Sequence, residues 1–316
     1  MLLIDRESEA AAGTAGSTDF AHTGPGTLAG RFLRRFWQPV HRSIELKAGQ
    51  AKPVRVMSED FSLYRGESGT AYVVAPRCAH RGTQLSTGWI EGDCVRCFYH
   101  GWKYDGSGQC VEQPAEGSGF AAKVCVASYP TREHLGLIFA YLGEGQPPPF
   151  PPVPLFEGEG IVETFVEPFP CNFFQSWENN ADEVHVSFVH SGGGTHRGIS
   201  ELPQMDSEET DYGIVRRSRR ADGNVRVTLH VMPNITRVIV PSFNGLEGGV
   251  WKDTYLFLVP IDDENHHFYG SQHVNVSGQE AEAYRERYER YLRRLAESRP
   301  SREVAADIMA GTLTLA

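Results

Sequence analysis

The sequence lacks any apolar run long enough to cross a membrane, because no stretch reaches the roughly 18 apolar residues that a spanning helix needs. Its N-terminus also lacks the apolar core of a secretory signal, since acidic residues begin at Asp5. Positive charge is scarce: 30 Lys and Arg residues stand against 40 Asp and Glu residues, a formal net charge of −10. A nucleic-acid-binding surface needs an excess of Lys and Arg. We therefore expect a cytoplasmic protein that binds neither a membrane nor a nucleic acid.

The 316 residues, 40% of them hydrophobic, suffice for a sizeable core in one large domain or two of ordinary size. Short β-rich runs separated by turn residues dominate the first half, and strand-like runs resume after a segment that holds six of the 19 prolines. Helical patterns are predicted at three places: 28–37, 172–189 and 279–297. The predicted division is a flexible leader over 1–29, a β-rich unit over 30–145, a proline-rich connector over 146–154 and a second unit over 155–316.

Five of the six cysteines lie between positions 78 and 125, and two of them stand close to a histidine. Cys78 is paired with His80, and Cys97 with His100. Two thiolates and two imidazoles suit either a tetrahedral zinc or a [2Fe–2S] cluster with two thiolates on one iron and two imidazoles on the other. Each loop offers one Cys and one His, which favours the binuclear cluster over zinc. Buried structural cysteines with satisfied histidines are the remaining alternative.

The other cysteines are expected to be small buried apolar residues: Cys94, Cys110, Cys125 and Cys171. Cys94 forms a C-x2-C pattern with Cys97 and is the one plausible competitor as a ligand.

A second group of metal-ligand residue types follows the connector, where Asp182, His185 and His190 form a D-x2-H-x4-H pattern. Asp182 and His185 fall on one face of the predicted helix. His190 is about 140° away on an ideal helix, so both imidazoles reach one metal only if the helix distorts or ends near His190. Two imidazoles and a carboxylate from elsewhere form the facial triad of non-haem Fe(II) oxygenases. A pair of core histidines is the structural alternative.

Together, the two patterns resemble those of the Rieske-type non-haem iron aromatic-ring-hydroxylating oxygenases, in particular their terminal oxygenase (alpha) component. The resemblance rests on three segments: Pro76-Arg77-Cys78-Ala79-His80-Arg81-Gly82, Cys97-Phe98-Tyr99-His100-Gly101-Trp102-Lys103-Tyr104 and the Asp182 pattern about 85 residues later. It implies an α+β fold, with an N-terminal Rieske domain of antiparallel β-sheets. A catalytic domain with helices packed on a curved, helix-grip-like antiparallel sheet would follow.

The resemblance also implies roles for individual residues. The implied ligands of a [2Fe–2S] cluster are Cys78, His80, Cys97 and His100. The implied ligands of a mononuclear Fe(II) are His185 and His190, and Asp182 would bridge to a cluster histidine of a neighbouring subunit. The family's third iron ligand, an Asp in a short E-D or Q-D motif well over a hundred residues after the second His, has no match before Ala316. We expect it to lie beyond Ala316, with Asp307 as a weak candidate within the chain.

The implied activity is the use of O2 to hydroxylate, dihydroxylate or demethylate a small organic substrate, which we expect to be aromatic. The chain has no Rossmann fingerprint, so an NAD(P)H-dependent reductase, with or without a ferredoxin, would supply the electrons. The resemblance also implies a homotrimer. Two alternatives are a Rieske electron-transfer protein and a ligand-binding module without catalytic iron. Four arginines could attract a carboxylate substrate, although their spacing favours an exposed strand: Arg216, Arg217, Arg219 and Arg220.

Overall fold

A computed structural model describes residues 19–117, 119–150, 159–189, 202–221, 223, 225–241 and 250–314. The strands before residue 150 are β1 (Trp37–Arg42), β2 (Ala51–Val56), β3 (Glu59–Arg65), β4 (Ala71–Val74), β5 (Trp89–Glu91), β6 (Cys94–Arg96), β7 (Lys103–Tyr104), β8 (Cys110–Glu112), β9 (Ser128–Tyr129), β10 (Thr131–His134) and β11 (Leu137–Tyr141). The later strands are β12 (Ile161–Phe169), β13 (Gln204–Thr210), β14 (Gly213–Arg219), β15 (Val225–Val231), β16 (Ile235–Pro241), β17 (Trp251–Pro260) and β18 (His266–Val274). The helices are α1 (Leu28–Leu33), α2 (Phe173–Ala181), α3 (Val184–Val189), α4 (Gly278–Glu297) and α5 (Ser301–Met309). Within these ranges, no helix has the length and apolar character that a membrane span requires.

The strands before residue 150 form three small sheets, ordered β2-β3-β4-β9, β5-β6-β7-β8 and β1-β11-β10. All their strand pairs are antiparallel. The central strand β11 is buried along its whole length, which accounts for its uninterrupted apolar sequence. The β5-β6-β7-β8 sheet borders the two Cys-His loops and so positions them.

The helix predicted over 28–37 is shorter in the structure, where α1 ends at Leu33. Thr27 caps its start by accepting a hydrogen bond from Gly30 N–H at 3.0 Å. Trp37 already belongs to β1 and packs against Tyr141 of β11 with ring centroids 6.0 Å apart. The tertiary contacts of this aromatic residue with β11 therefore override the helical periodicity of the sequence.

After the connector, seven antiparallel strands form one sheet in the order β12-β18-β17-β16-β15-β14-β13. The sequence did not predict the edge strand β13, whose residues are almost all exposed and polar, because it shows no apolar alternation. The predicted α+β class with antiparallel sheets is confirmed.

The seven-stranded sheet shares one hydrophobic core with two of the small sheets, β2-β3-β4-β9 and β1-β11-β10, and this core includes Leu137 of β11 and Phe257 of β17. The β5-β6-β7-β8 sheet packs with Cys78 and Cys97 in a separate cluster. Buried hydrogen bonds also join the two parts: Asn234 Nδ2 donates to Gln38 Oε1 at 2.9 Å, and the Tyr269 hydroxyl donates to Val40 O at 2.9 Å. A packed core with internal polar contacts resists relative movement. Strand β1 and the sheet that contains it are thus fixed relative to the larger sheet.

Candidate metal centres

The first Cys-His loop follows β4 and folds back on itself through its own backbone. Cys78 N–H donates to Thr83 O at 2.8 Å, and Gly82 N–H donates to Cys78 O at 2.9 Å. Gly82 has a φ of 69°, a left-handed conformation that suits glycine. On the outside of this loop, Arg77 Nη1 donates to Gly82 O at 3.2 Å.

The second loop, between β6 and β7, repeats this arrangement. Cys97 N–H donates to Trp102 O at 2.9 Å, and Gly101 N–H donates to Cys97 O at 3.0 Å. Gly101 has a φ of 75°, and a side chain there would also press on Pro114 at 3.2 Å. The two loops therefore present one Cys and one His each from the same backbone frame, as their sequences predict.

The four side chains implied as cluster ligands lie together at the tips of these loops. Cys78 and Cys97 are only 3% and 2% exposed, and the His80 and His100 rings lie with their centroids 4.6 Å apart. His80 also stacks on Trp102 at 4.7 Å, which fixes its ring plane. Its Nδ1 is buried and has no hydrogen-bond partner among the described residues. A buried imidazole nitrogen without a partner is costly unless a metal binds it, so the donor set fits the [2Fe–2S] cluster.

Burial, together with the neighbouring Cys78, raises the pKa of the Cys97 thiol above its usual value. Two buried thiolates side by side repel each other and lose their hydration, so they form readily only when a positively charged metal binds them. This electrostatic requirement agrees with a pair of cluster cysteines.

Tyr104 is a further residue of this centre, and the sequence offered no role for it beyond membership in the motif. Its hydroxyl oxygen accepts a hydrogen bond from Ala79 N–H at 3.2 Å and lies 3.3 Å from Cys78 Sγ. When Cys78 is a thiolate, its sulfur can only accept, so the hydroxyl would be the donor in this contact. Burial raises the pKa of Tyr104, so the hydroxyl stays a donor. A hydrogen bond to a ligand sulfur raises the reduction potential of an iron–sulfur cluster.

The side chain of Arg96 stabilises the second loop by hydrogen bonds. Its Nη1 donates to Gly101 O at 2.7 Å, and its other nitrogens donate to the carboxylates of Glu91 and Glu112 at 2.7–2.9 Å. These hydrogen bonds lower the pKa of Glu91 to about 2. Arg96 immediately precedes Cys97, so this ion-pair network fixes the loop at the ligand itself.

The remaining cysteines are less buried than the sequence suggested. Cys110 is buried, Cys94 and Cys171 are half-buried, and Cys125 is exposed, so the expectation of burial is wrong for Cys125. Cys125 pairs with Gln109 in a single antiparallel β-bridge outside the named strands, and its side chain is exposed to solvent. All six cysteines are free.

The predicted helix over 172–189 is broken at Asp182, whose φ of −99° and ψ of 104° are extended. Its N–H ends α2 by donating to Asn179 O at 3.1 Å, and its Oδ1 starts α3 by accepting from Val184 N–H at 2.8 Å. Asp side chains compete with the helix for backbone N–H groups, which accounts for the break. The prediction that Asp182 and His185 share one helical face is therefore wrong. They approach each other through the cap, with Asp182 Oδ2 at 3.8 Å from His185 Nδ1.

His185 borders a cavity of about 170 Å³ between the α2–α3 junction and the seven-stranded sheet. The lining residues are Asn179, Asn180, Asp182, Glu183, His185, Val186, Arg226, Thr228, Thr236, Val238 and Leu256. His185 is largely buried, whereas the Asp182 side chain is 52% exposed. An imidazole at the wall of a polar cavity fits one ligand of the predicted iron. His190 lies outside the described residues.

Asp307, the weak candidate for the third ligand, and three other late carboxylates have partners of their own. Asp253 pairs with Arg237, Asp262 binds the backbone of its own turn, Asp263 accepts from Thr23 N–H, and Asp307 pairs with Arg299. Over the described ranges, no three His, Cys, Asp or Glu side chains converge on a single ion site. A [2Fe–2S] cluster needs only two protein ligands on each iron.

The arginines after position 215 do not form a uniformly exposed strand. Arg217 is on the outer face of β14, where it pairs with Asp206 and Glu208 of β13. Arg216 is on the opposite face and only 6% exposed, with Nη2 at 3.6 Å from the buried carboxylate of Glu183. Successive strand residues point to opposite faces, and in this strand the inner face carries charge.

Residues 36–130 match the family model of the Rieske [2Fe-2S] domain. This range contains both Cys-His loops, so the match confirms the predicted type of cluster.

Two curated proteins are similar over most of the chain. The 5,5'-dehydrodivanillate O-demethylase oxygenase subunit of Sphingobium sp. is 33% identical over 259 residues, which cover 77% of this chain and 59% of that protein. The tert-butanol monooxygenase / tert-amyl alcohol desaturase oxygenase subunit of Aquincola tertiaricarbonis is 32% identical over 289 residues, 81% of this chain and 60% of that protein. The chain thus spans about three fifths of the length of these relatives.

Among solved structures, the reduced complex between oxygenase and ferredoxin in carbazole 1,9a-dioxygenase matches with a TM-score of 0.65. The identity is 20%, and the match covers 84% of this chain and 77% of that chain, which shows a shared fold. The predicted resemblance is therefore confirmed: the chain contains a Rieske [2Fe–2S] domain and is related to the oxygenase subunits of Rieske-type non-haem iron oxygenases. Of the two predicted cofactors, the [2Fe–2S] cluster is the one that the matching domain carries by name.

Proposed function

We propose that this protein is the terminal oxygenase component of a multicomponent Rieske system, which uses O2 to hydroxylate, dihydroxylate or demethylate a small organic substrate. The observation that carries the proposal is the presence of two centres in one chain. One centre is the pair of matched loops around the orphaned His80 Nδ1, and the other is the cavity beside Asp182 and His185. When bound, the cluster transfers single electrons and the mononuclear iron activates O2.

In this proposal the cluster ligands are Cys78, His80, Cys97 and His100, and the iron ligands are His185 and His190. The third ligand is a carboxylate still to be assigned, because the surface ion pair with Arg299 argues against Asp307. The proposed units are the leader (1–29), the Rieske domain (30–145), the connector (146–154) and the catalytic domain (155–316).

Asp182 orients imidazoles in this proposal. Its Oδ2 lies 3.8 Å from His185 Nδ1, and its half-exposed carboxylate remains accessible to an imidazole N–H of a neighbouring subunit. A carboxylate between two imidazoles fixes both rings and shortens the path between the two centres. This role requires a second copy of the chain beside the first, and a homotrimer satisfies that requirement.

Electrons come from NAD(P)H through a separate reductase, with or without a ferredoxin. The similarity to an oxygenase whose structure was solved with a ferredoxin supports this arrangement. Free cysteines throughout the chain suit the reducing cytoplasm, where we place the protein.

The seven-stranded sheet favours an oxygenase over a simple electron-transfer protein. Electron transfer needs only the cluster loops and their supporting sheets, whereas this sheet and α2–α3 enclose a separate polar cavity. A ligand-binding module without iron remains the alternative, and the iron content of the second centre distinguishes it. The names of the two relatives include an aromatic demethylase and an alcohol monooxygenase, and we propose an aromatic substrate here.

Replacement of Asp182 by Asn tests the proposed function directly. Asn caps a helix about as well as Asp does, so α3 should remain intact while the negative charge between the imidazoles is lost. We expect Asp182→Asn to fold and keep both metals but to transfer electrons at least about 100-fold more slowly, a change of about 2.7 kcal/mol or more in the barrier. The measurement is single-turnover mixing of the pre-reduced protein with O2 and substrate, following cluster reoxidation.

Asp206→Asn, which changes an exposed carboxylate of β13, is the matched control and should leave the rate unchanged. Reoxidation of Asp182→Asn at the wild-type rate would refute the proposed role of Asp182.

A further inference from the structure

Three aromatic rings in contact lead from the surface to one of the proposed cluster ligands. The Trp102 ring lies nearly parallel to the His80 imidazole, with centroids 4.7 Å apart and 8° between the ring planes. Phe120 packs edge-on against Trp102 at 6.4 Å. Trp102 is only 5% exposed, whereas Phe120 is 49% exposed. In this aromatic row (His80, Trp102 and Phe120), Phe120 is thus the ring that a partner protein can contact at the surface.

Phe120 is held in place although its ring is half in solvent. It precedes one turn of 3-10 helix over Ala121–Lys123, and Lys123 N–H closes this turn by donating to Phe120 O at 2.9 Å. Gln109, the residue before β8, donates from Nε2 to Ala121 O at 3.0 Å. A single exposed phenylalanine is common on protein surfaces. This one differs because its ring contacts the tryptophan that stacks on a proposed cluster ligand.

The first Cys-His loop carries positive charge only. Arg77 and Arg81, both exposed, precede and follow His80, and no Asp or Glu occurs between positions 75 and 90. Such a surface attracts a partner of negative charge and increases the rate at which the two proteins meet.

The segment that contains Phe120 adds a further cation. Lys123 is exposed and follows Phe120 by three positions. Two acidic residues, Glu112 and Glu116, come shortly before it, and Glu112 is already paired with Arg96 at 2.7 Å. These two segments are therefore mainly positive, although the chain as a whole has a formal net charge of −10.

The other proposed cluster histidine has different surroundings. His100 is exposed, and the Tyr99 ring packs on it with centroids 3.9 Å apart. The role proposed for Asp182 needs an imidazole that a neighbouring subunit can reach. His100 is more open to such a neighbour than His80, which is half-buried. The aromatic row is therefore available to a different partner.

We propose that Phe120, together with Arg81 and Lys123, is the surface on which the electron donor docks, and that this donor is an acidic one-electron carrier protein of the [2Fe–2S] ferredoxin class. The inference rests on the proposed function, because it identifies where that donor binds. One electron leaves the reduced carrier and reduces this protein by one electron, and no bond forms or breaks. Electron transfer slows steeply with distance, so a donor in contact with Phe120 is favourably placed.

The first test measures binding without turnover. The holoprotein is titrated by calorimetry with an oxidised, acidic plant-type [2Fe–2S] ferredoxin. We expect binding at low ionic strength that weakens as salt is added. Phe120→Ala should weaken it by about 10-fold, as the loss of an aromatic interface residue does. No binding to the wild type, or equal affinities of the wild type and Phe120→Ala, would overturn the inference.

The matched control is Phe98→Ala, because Phe98 is 55% exposed at the tip of the second loop and lies outside the aromatic row. It should bind ferredoxin as the wild type does. An equal loss of affinity in Phe98→Ala would place the donor on the loop tips and contradict the inference.

A charge variant tests the predicted sign of the partner. Lys123→Gln should weaken ferredoxin binding by about 3- to 10-fold at low salt and have little effect at high salt. Lys47→Gln, which changes an exposed lysine before β2, is its control and should bind normally. Identical affinities of the two lysine variants at low salt would refute the role of Lys123.

Reduction kinetics separate docking from damage to the cluster. Phe120→Ala should be reduced more slowly than the wild type by reduced ferredoxin. Dithionite, a small reductant that needs no docking surface, should reduce both proteins at the same rate. Equal slowing with the two reductants would show that Phe120 supports the cluster rather than the donor, and would overturn the inference.

The proposed function is tested separately on the dithionite-reduced wild type. If this protein lacks iron at the second centre, or is not reoxidised by O2 and substrate, the proposed function fails even when ferredoxin binds as expected. A second copy of the chain is the competing occupant of the surface. If Phe120→Ala changed the oligomeric state in sedimentation but not the affinity for ferredoxin, only the inference would fail.

Discussion

The two candidate centres differ in how far apart in the sequence their parts lie. The proposed cluster ligands all fall between positions 78 and 100, on two loops with the same internal hydrogen bonds. The cavity beside His185 instead combines a helix junction with three strands. The lining residues on these strands lie up to 71 positions after His185. The first centre is encoded locally and the second by the packing of a whole sheet.

They also differ in how completely their polar groups are satisfied. At the cluster loops, Arg96 and Tyr104 use their donors on a carbonyl, two carboxylates and a sulfur. At the second centre, the Nε atoms of Arg216 and Arg226 have no acceptor among the described residues. A satisfied network rigidifies its surroundings, whereas an unsatisfied one is costly until a ligand completes it. The side chains that support the cluster loops are thus held rigidly, although His80 Nδ1 itself has no hydrogen-bond partner among the described residues.

The largest expected effect comes from removing a cluster thiolate. Cys97→Ser should lose nearly all acid-labile sulfide and the associated iron, because the hydroxyl is a far poorer ligand for iron than a thiolate. Cys94→Ser is the matched control, three residues away and half-buried, and should retain the cluster. Sulfide and iron analysis of both variants is the measurement. If Cys94→Ser lost the cluster and Cys97→Ser kept it, the ligand assignment of the second loop would be wrong.

The local character of the first centre explains why the sequence predicted it well. The short Cys-His spacings and the following glycines determine the loops without reference to distant residues, and Gly82 and Gly101 take the same left-handed conformation. Tyr104 was not assigned a role, because its contact with Cys78 depends on how β7 packs against the first loop.

The second centre was predicted only in part, for the opposite reason. The D-x2-H spacing selected Asp182 and His185, which the structure brings to 3.8 Å from each other, but the predicted shared helical face is wrong, since Asp182 ends one helix and caps the next. The buried contact of Glu183 with Arg216 and Arg226 joins positions 33 and 43 residues apart, so no local pattern signals it. The alternation of β14 could have indicated that Arg216 and Arg217 face opposite sides.

Replacement of Arg96, which hydrogen-bonds the second loop, is expected to lower the stability of the protein by a smaller amount. Arg96→Met leaves Gly101 O without its donor, so the free energy of unfolding should fall by about 1–3 kcal/mol, with faster loss of the cluster to a chelator. Arg77→Met removes an exposed contact to Gly82 O and should change stability by less than about 0.5 kcal/mol. Denaturant unfolding of both variants tests this difference. Equal effects would show that the two loops are braced alike.

A dependence of stability on pH is also expected from His230 of β15. Burial, and then the nearby Arg216, lower the pKa of His230 to about 4. Between an unfolded pKa of about 6.5 and this value, the unfolded chain binds a proton that the folded protein does not. Stability should therefore fall as the pH falls through this range, and His230→Phe should make the decline less steep.

The control for this prediction is His22, an exposed residue whose pKa is raised by Asp19 and whose effect has the opposite sign. His22→Phe should leave the decline at least as steep as in the wild type. Thermal unfolding between pH 7 and pH 4 measures the slopes. An unchanged slope in His230→Phe would mean that His230 is not held neutral in the folded protein.

The most direct test of the two-centre account is the ratio of iron to acid-labile sulfide in wild-type protein and in His185→Ala, both reconstituted anaerobically. The account predicts about three iron and two sulfide per chain in the wild type, and about two of each in His185→Ala, with an unchanged cluster spectrum. His22→Ala, which changes an exposed histidine paired with Asp19, should match the wild type. Two iron and two sulfide in both proteins would contradict the second centre, and zinc without sulfide would contradict the first.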